Sequence, residues 1–245
     1  MSAVPVPSPL PHATARRARV AYDVEDGGGR WLMDEDDMPE IPLHDAVIQL
    51  LELLLQAFAE RTQRSALITS NLGCRWDPAD ARVGVDPDVL LVEPAPPEGE
   101  KTTTLRIWEP GHAPPRIAVE IVSEQSGRKD YVEGPARYAL LGAKELWIFD
   151  PLLAGPSETG GPFVLQVWRR GDQGAMDRVY AGTGPARSDE LGAWLVVTDG
   201  GARLRVADDP AGAVLWLTMA EAEKQRADAA EAEVARLREE LARRG

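Results

Sequence analysis

Val47, Leu50, Leu51, Leu54 and Phe58 recur at helical spacing after Pro42, and Leu53 and Leu55 broaden the stripe. This spacing predicts an amphipathic helix of three to four turns with its apolar face in a core. From Ser65 the period shortens. Residues 66–69, 88–93, 104–108 and 116–123 are short, β-branched runs separated by Pro- and Gly-rich segments, which is the pattern of strands. Gly134-Pro135 opens a short helix, because proline is tolerated at the first helical position, and Gly142 is placed to end it after Tyr138, Leu140 and Leu141. Residues 145–150 contain the unbroken apolar run Leu146, Trp147, Ile148, Phe149, which predicts a strand buried on both faces. Residues 163–168, 178–180, 191–197 and 202–206 read as a later antiparallel set.

The two ends differ in kind from this middle. Residues 1–20 hold Pro5, Pro7, Pro9 and Pro11 with no apolar stretch, which reads as a disordered leader rather than a signal peptide. A short strand is expected at 17–22. Residues 23–40, with Gly27-Gly28-Gly29 and Asp34-Glu35-Asp36-Asp37, read as loop. At the other end, Ala227, Ala230, Val234, Leu237 and Leu241 are spaced 3, 4, 3, 4, a short heptad seam in an Ala/Glu/Arg-rich helix. That helix either lies solvated or forms a coiled coil joining two copies as a homodimer. The expected organisation is a leader at 1–20, one domain at 21–216 and a C-terminal helix at 217–245.

Length and composition fit this plan. The chain has 245 residues, 44% hydrophobic and 27% charged, enough for one full-sized core. Nothing approaches the ~20 apolar residues needed to span a bilayer. The one cysteine, Cys74, excludes an internal disulfide framework and fits a reducing cytoplasm; with no histidine near it in sequence, it reads as a core residue. The net charge is −13, of which residues 1–20 contribute +3 and residues 217–245 contribute −1, leaving −15 on the middle. Proteins that grip nucleic acid usually neutralise phosphates with Lys and Arg, so this balance opposes tight non-specific DNA binding.

The candidate chemistry lies in two acids. Pro87-Asp88 heads the apolar run Val89-Leu90-Leu91-Val92, and Glu120 sits inside Ile117-Ala118-Val119-Glu120-Ile121-Val122. A buried, unpaired carboxylate costs several kcal/mol, so Glu120 needs a partner, and a divalent cation is one. Asp88, Glu120 and the carbonyl of Ile121 could hold Mg²⁺ (or Mn²⁺), which often takes only one or two carboxylates from a protein. Such a metal activates water and clamps a phosphate, and a nearby Lys or Arg stabilises developing charge. Plainer readings stand beside this one. Asp88 could cap a turn, Glu120 could pair with a buried Arg, and Lys129 with Arg128 could be an exposed basic pair. His44 reads as a structural residue at the helix start, and His12 and His112 lie in Pro-rich loops. Ser123 and Ser126 have no histidine positioned as a base.

The blocks Pro87-Asp88-Val89, Ala118-Val119-Glu120-Ile121-Val122-Ser123-Glu124, Lys129-Asp130-Tyr131, Tyr138-Ala139-Leu140-Leu141-Gly142 and Glu145-Leu146-Trp147-Ile148-Phe149-Asp150-Pro151 occur in one order. Together they resemble the Uma-two family of restriction-endonuclease-like proteins, a branch of the PD-(D/E)XK nuclease superfamily. The resemblance runs from about Pro42 to Pro151, and His44 fits it. It implies an α/β (α+β) fold, a mixed central sheet flanked by helices, with further antiparallel strands and the C-terminal helix added. It also implies metal-binding acids at Asp88 and Glu120 and DNA as substrate. The chain departs from the pattern at the catalytic lysine: Val122 stands two residues after Glu120, and Gly134 stands four after Asp130. Lys129 is the remaining candidate, ahead of Arg128 and Arg137. Two readings follow: a metal-dependent endonuclease using Asp88, Glu120 and Lys129, or a nuclease-fold scaffold that no longer cuts and dimerises through its last helix.

Overall fold

The computed structural model describes residues 42–244. The leader, the strand expected at 17–22 and the acidic segment 23–40 lie outside the described residues. Helix α1 runs Pro42–Arg61, 20 residues rather than three to four turns. No Gly or Pro follows Pro42 to stop it, and Glu52, Gln56, Ala57 and Glu60 are good helix formers. It ends where Gln63 takes a positive φ of 53° and Arg64 N donates to Ala59 O. Its buried stripe is His44, Val47, Ile48, Leu51, Leu54, Leu55, Phe58 and Ala59. Leu53 points to solvent instead.

Twelve strands and two more helices follow. The strands are β1 (Leu67–Ser70), β2 (Gly73–Arg75), β3 (Gly84–Val85), β4 (Val89–Val92), β5 (Thr104–Arg106) and β6 (Ile117–Ile121), then β7 (Glu145–Phe149), β8 (Leu165–Arg170), β9 (Met176–Gly182), β10 (Ala186–Ser188), β11 (Ala193–Thr198) and β12 (Arg203–Ala207). Helix α2 (Gly134–Leu141) lies between β6 and β7, and α3 (Met219–Arg244) closes the chain. The central sheet has six strands in the order β1-β4-β6-β7-β8-β9. Only β6 and β7 are parallel, as the crossover through α2 requires; every other neighbour is antiparallel. The fold is therefore the expected mixed sheet with flanking helices.

The later strands do not form one antiparallel set. β8 and β9 extend the central sheet, whereas β10-β11-β12 form a sheet of their own and β3-β2-β5 a third. β2, β3 and β10 are only two or three residues long, too short to carry an alternating pattern. Alternation along the central strands makes two cores. One face carries Val89, Leu91, Val119, Ile121, Trp147 and Phe149 against α1 and the β10–β12 sheet. The other carries Leu90, Val92, Ala118, Leu146 and Ile148 against Tyr138 and Leu141 of α2 and Cys74, Val85 and Leu105 of the β3-β2-β5 sheet. Both β6 and β7 are buried along their whole length, as the apolar run at 145–150 requires.

Glu145 ties the central sheet to the β10–β12 sheet. Its buried carboxylate accepts bonds from Ser188 Oγ (2.7 Å), Asp189 N (2.7 Å), Glu190 N (3.3 Å), Trp147 Nε1 (3.0 Å) and Arg169 Nε (3.3 Å). Five donors on one carboxylate satisfy its hydrogen-bonding capacity inside the protein. At the start of α3, Thr218 and Glu221 form a capping box, with Glu221 N donating to Thr218 Oγ1 (3.2 Å) and Thr218 N to Glu221 Oε2 (2.8 Å). Arg205 of β12 grips Glu221 at 2.7 Å, fixing the helix start to the domain. No helix among the described residues is long and apolar enough to cross a membrane.

Candidate active site

Strand register brings the two acids together. In the antiparallel β4–β6 pair, Val89 is opposite Val119 and Leu90 opposite Ala118. Continued by one residue, that register sets Asp88 across from Glu120, where side chains on facing positions are immediate neighbours. Asp88 Oδ2 accepts a bond from Ile121 N at 2.6 Å, which holds its carboxylate against the end of β6. The turn-cap reading of Asp88 is thus replaced by a contact 33 residues away. Glu120 lies on the α2 face of β6, where only 3% of it is exposed, and accepts a bond from Tyr138 Oη at 2.6 Å. That hydroxyl, rather than an arginine, is its hydrogen-bond partner.

Lys129 opens a π-helical turn, Lys129–Glu133, that leads into α2. Its Nζ lies 3.8 Å from Asp130 Oδ1, and its side chain is 48% exposed. Burial pulls the Lys129 ammonium down, but Glu120, Asp130 and Asp88 outweigh it and hold its pKa above the usual lysine range. Lys129 therefore sits in the field of all three acids, as a fixed cation. Arg137 instead pairs with Glu133 on the exposed face of α2 (2.6 Å).

Asp130 belongs to this group, which the sequence reading did not assign. It is 1% exposed; Oδ2 accepts a bond from Ser126 Oγ, and Oδ1 is buried without a hydrogen-bond donor. Burial pushes its carboxyl up to about 6 against the Ser126 bond and Lys129. Glu120 is raised well above the carboxylate range, chiefly by burial, then by the charges of Asp130 and Asp88. The charge of Asp88 adds to the rise at both Glu120 and Asp130, so the cluster is short of positive charge.

His44 is the second unassigned member. Its place in α1 is three residues before Val47, on the same stripe that enters the core, so the helical spacing did contain the signal. Its Nε2 donates to Ile121 O at 3.0 Å and lies 3.4 Å from Asp88 Oδ2. Tyr138 is the third: as a core aromatic its hydroxyl needed a buried acceptor, and Glu120 needed a donor. Val122 and Gly134, where the superfamily pattern would place a lysine, are both buried and apolar.

Among the described residues, no group of three or more His, Cys, Asp or Glu side chains is arranged to hold a metal ion. The donor set nonetheless suits a hard divalent cation. Asp88, Glu120 and the second lone pair of the Ile121 carbonyl are all oxygen, and Mg²⁺ needs only one or two carboxylates from the protein. Asp130, whose Oδ1 has no hydrogen-bond donor and faces Lys129 Nζ at 3.8 Å, adds a further carboxylate to the group.

A family model described as "Putative restriction endonuclease", Uma2, matches residues 35–155, the stretch that contains every residue of this site. Residues 35–155 are a Uma2 domain. A solved structure titled as "a putative nuclease belonging to DUF820", from Anabaena variabilis ATCC 29413, aligns with a TM-score of 0.43 and 16% identity, over 63% of this chain and 75% of that one. No curated protein matches the chain. Within the Uma2 domain, Asp88 and Glu120 stand on adjacent strands of the central sheet. Lys129 and Asp130 come from the turn before α2, and His44 from α1.

Proposed function

We propose that the Uma2 domain is a divalent-metal-dependent endonuclease that hydrolyses phosphodiester bonds in DNA. What supports this reading is the strand register that sets Asp88 across from Glu120, with Lys129 Nζ 3.8 Å from the neighbouring buried acid Asp130. Asp88, Glu120 and the carbonyl of Ile121 would hold Mg²⁺ or Mn²⁺. Bound there, the metal would supply Lewis-acid activation of water and charge neutralisation at phosphate. The chain's own residues do the rest. Ile121 N and His44 hold the Asp88 carboxylate and the Ile121 carbonyl in place. Tyr138 fixes the rotamer of Glu120. The Lys129 ammonium, half exposed and always charged, can orient an attacking water and offset charge on the phosphorane.

Plasmid cleavage in Mg²⁺ or Mn²⁺ tests this. Glu120→Gln keeps an acceptor for Tyr138 and Asp88→Asn keeps an acceptor for Ile121 N, so both variants are expected to fold. Each is expected to lose cleavage by at least about 100-fold, and Lys129→Met by about 10² to 10³, the usual worth of one charge-stabilising group. Wild-type rates in either acid variant would overturn the site assignment.

A second reading has its own support. The lysine expected at 122 or 134 is absent, and the middle of the chain carries −15. On that reading the domain is a scaffold that keeps the acids without cutting. It predicts no cleavage by wild type with any divalent metal, while metal binding survives.

A further inference from the structure

Helix α3 has no buried residue over its 26 positions, although it carries Val234, Leu237 and Leu241, exposed by 46%, 46% and 72%. These three are not scattered. With Ala220, Ala227, Val234 and Leu241 as the a positions of a heptad, the d positions are Glu223, Ala230, Leu237 and Arg244. The large apolar residues therefore fall on one seam in the C-terminal half, and Val at a with Leu at d is the combination that favours two strands.

We infer that α3 pairs in parallel with α3 of a second copy of this chain. The flanking charges select that occupant. The g positions are Arg226, Glu233 and Glu240, and the e positions are Lys224, Glu231 and Arg238. In a parallel, in-register pair each g residue meets the e residue five positions on in the other copy. Arg226 then faces Glu231, and Glu233 faces Arg238, twice each by symmetry. Both complete pairs are attractive; Glu223 and Arg244 meet their own copies at the outer d positions, so the pair is held between them, by Ala227, Ala230, Val234, Leu237 and Leu241.

Antiparallel pairing of the same helix fares worse. With full overlap, Glu231 faces Glu231, Glu233 faces Glu233, and Lys224 faces Arg238. Sliding one heptad in one direction sets Glu223 opposite Val234, Ala220 opposite Leu237 and leaves Leu241 beyond the partner helix; sliding the other way sets Glu233 against Glu240. Only the parallel register joins Val234, Leu237 and Leu241 to their own counterparts with every complete flanking pair attractive.

The start of the helix carries the arrangement back to the domain. The Thr218–Glu221 capping box and the Arg205–Glu221 ion pair fix α3 to β12. A parallel pair therefore brings two domains to the same end of the coiled coil. The inference is independent of the chemistry assigned to the site.

Sedimentation equilibrium of the full chain at about 10–100 µM, the range where a micromolar pair is populated, tests it. The expected mass is twice that of the chain, falling to the single-chain value in the Val234→Asp/Leu237→Asp double variant. Both positions are exposed, so tryptophan fluorescence of the domain should not change. Arg244→Cys, at a d position, should form an interchain disulfide on mild oxidation, and Cys74 is buried and does not compete. A monomeric wild type would overturn self-association and leave the seam for another protein. A dimer that survives the double variant would place the interface elsewhere. A dimer in which Arg244→Cys fails to cross-link would overturn the parallel arrangement.

Discussion

Asp130 shows how a single buried carboxylate reports on its neighbours. Its carboxyl is raised from 3.8 to about 6, first by burial. Below pH 4 it is protonated in both folded and unfolded chains; above pH 6 it is ionised in both, and the folded state carries the cost. Its contribution therefore lowers stability as pH rises through 4–6 and stays constant above, by up to about 3 kcal/mol at 1.36 kcal/mol per unit. Asp130→Asn should consequently gain over wild type at pH 7.5, in the presence of a chelator, and gain little at pH 4. Urea midpoints at the two pH values measure this, and an equal increment at both would mean that Asp130 is not raised. Asp88 and Glu120 were legible in the chain because an acid heading or interrupting an apolar strand is conspicuous. Asp130 and Tyr138 were not, because each looks like an ordinary helix residue until its partner from another element is known; His44 stood on the buried stripe of α1, but its partner Ile121 O did not show in the sequence. Lys129 was singled out by elimination, because Val122 and Gly134 occupy the positions where the family pattern has a lysine.

Among the elements, those with a strong period were readable: the stripe of α1, the Gly134-Pro135 start and Gly142 end of α2, and the apolar run of β7. Gly142 adopts a left-handed φ of 89°, the conformation for which glycine at a helix end is suited. The length of α1 was underestimated because nothing after Pro42 marks a stop until Gln63. The partition of the late strands was not readable, since it depends on Glu145 reaching Ser188 and the amides of Asp189 and Glu190 more than 40 residues away. Glu145→Ala should destabilise the domain by about 3–5 kcal/mol, because it strands several buried donors at once. Denaturant unfolding followed by tryptophan fluorescence would show the shift, as Trp147 and Trp194 lie on the two sheets joined. A loss under about 1 kcal/mol would mean that water replaces the carboxylate and that the sheets are held by apolar packing alone.

Residues 42–216 carry a net −8 and the candidate site among them is itself acidic, so cations should act on the folded chain before any nucleic acid does. A metal that binds only the folded state stabilises it by about 2.7 kcal/mol at 100 times its dissociation constant. Mg²⁺ or Mn²⁺ should therefore raise the melting temperature of wild type by several degrees, and this rise should vanish in Asp88→Asn and Glu120→Gln. Calcium-free buffers with the monovalent salt held constant separate site binding from general screening. An equal rise in all three proteins would reduce the effect to surface charge. The order of the central sheet has one further consequence. Reading β1-β4-β6-β7-β8-β9, each strand sits beside the one that precedes it in the chain within that sheet. Such a sheet can be zipped strand by strand as the polypeptide leaves the ribosome, with no early strand waiting for a distant late one. Asp88 and Glu120 meet at the second of these steps, so the acidic pair would exist in the nascent chain before α2 has arrived to cover it.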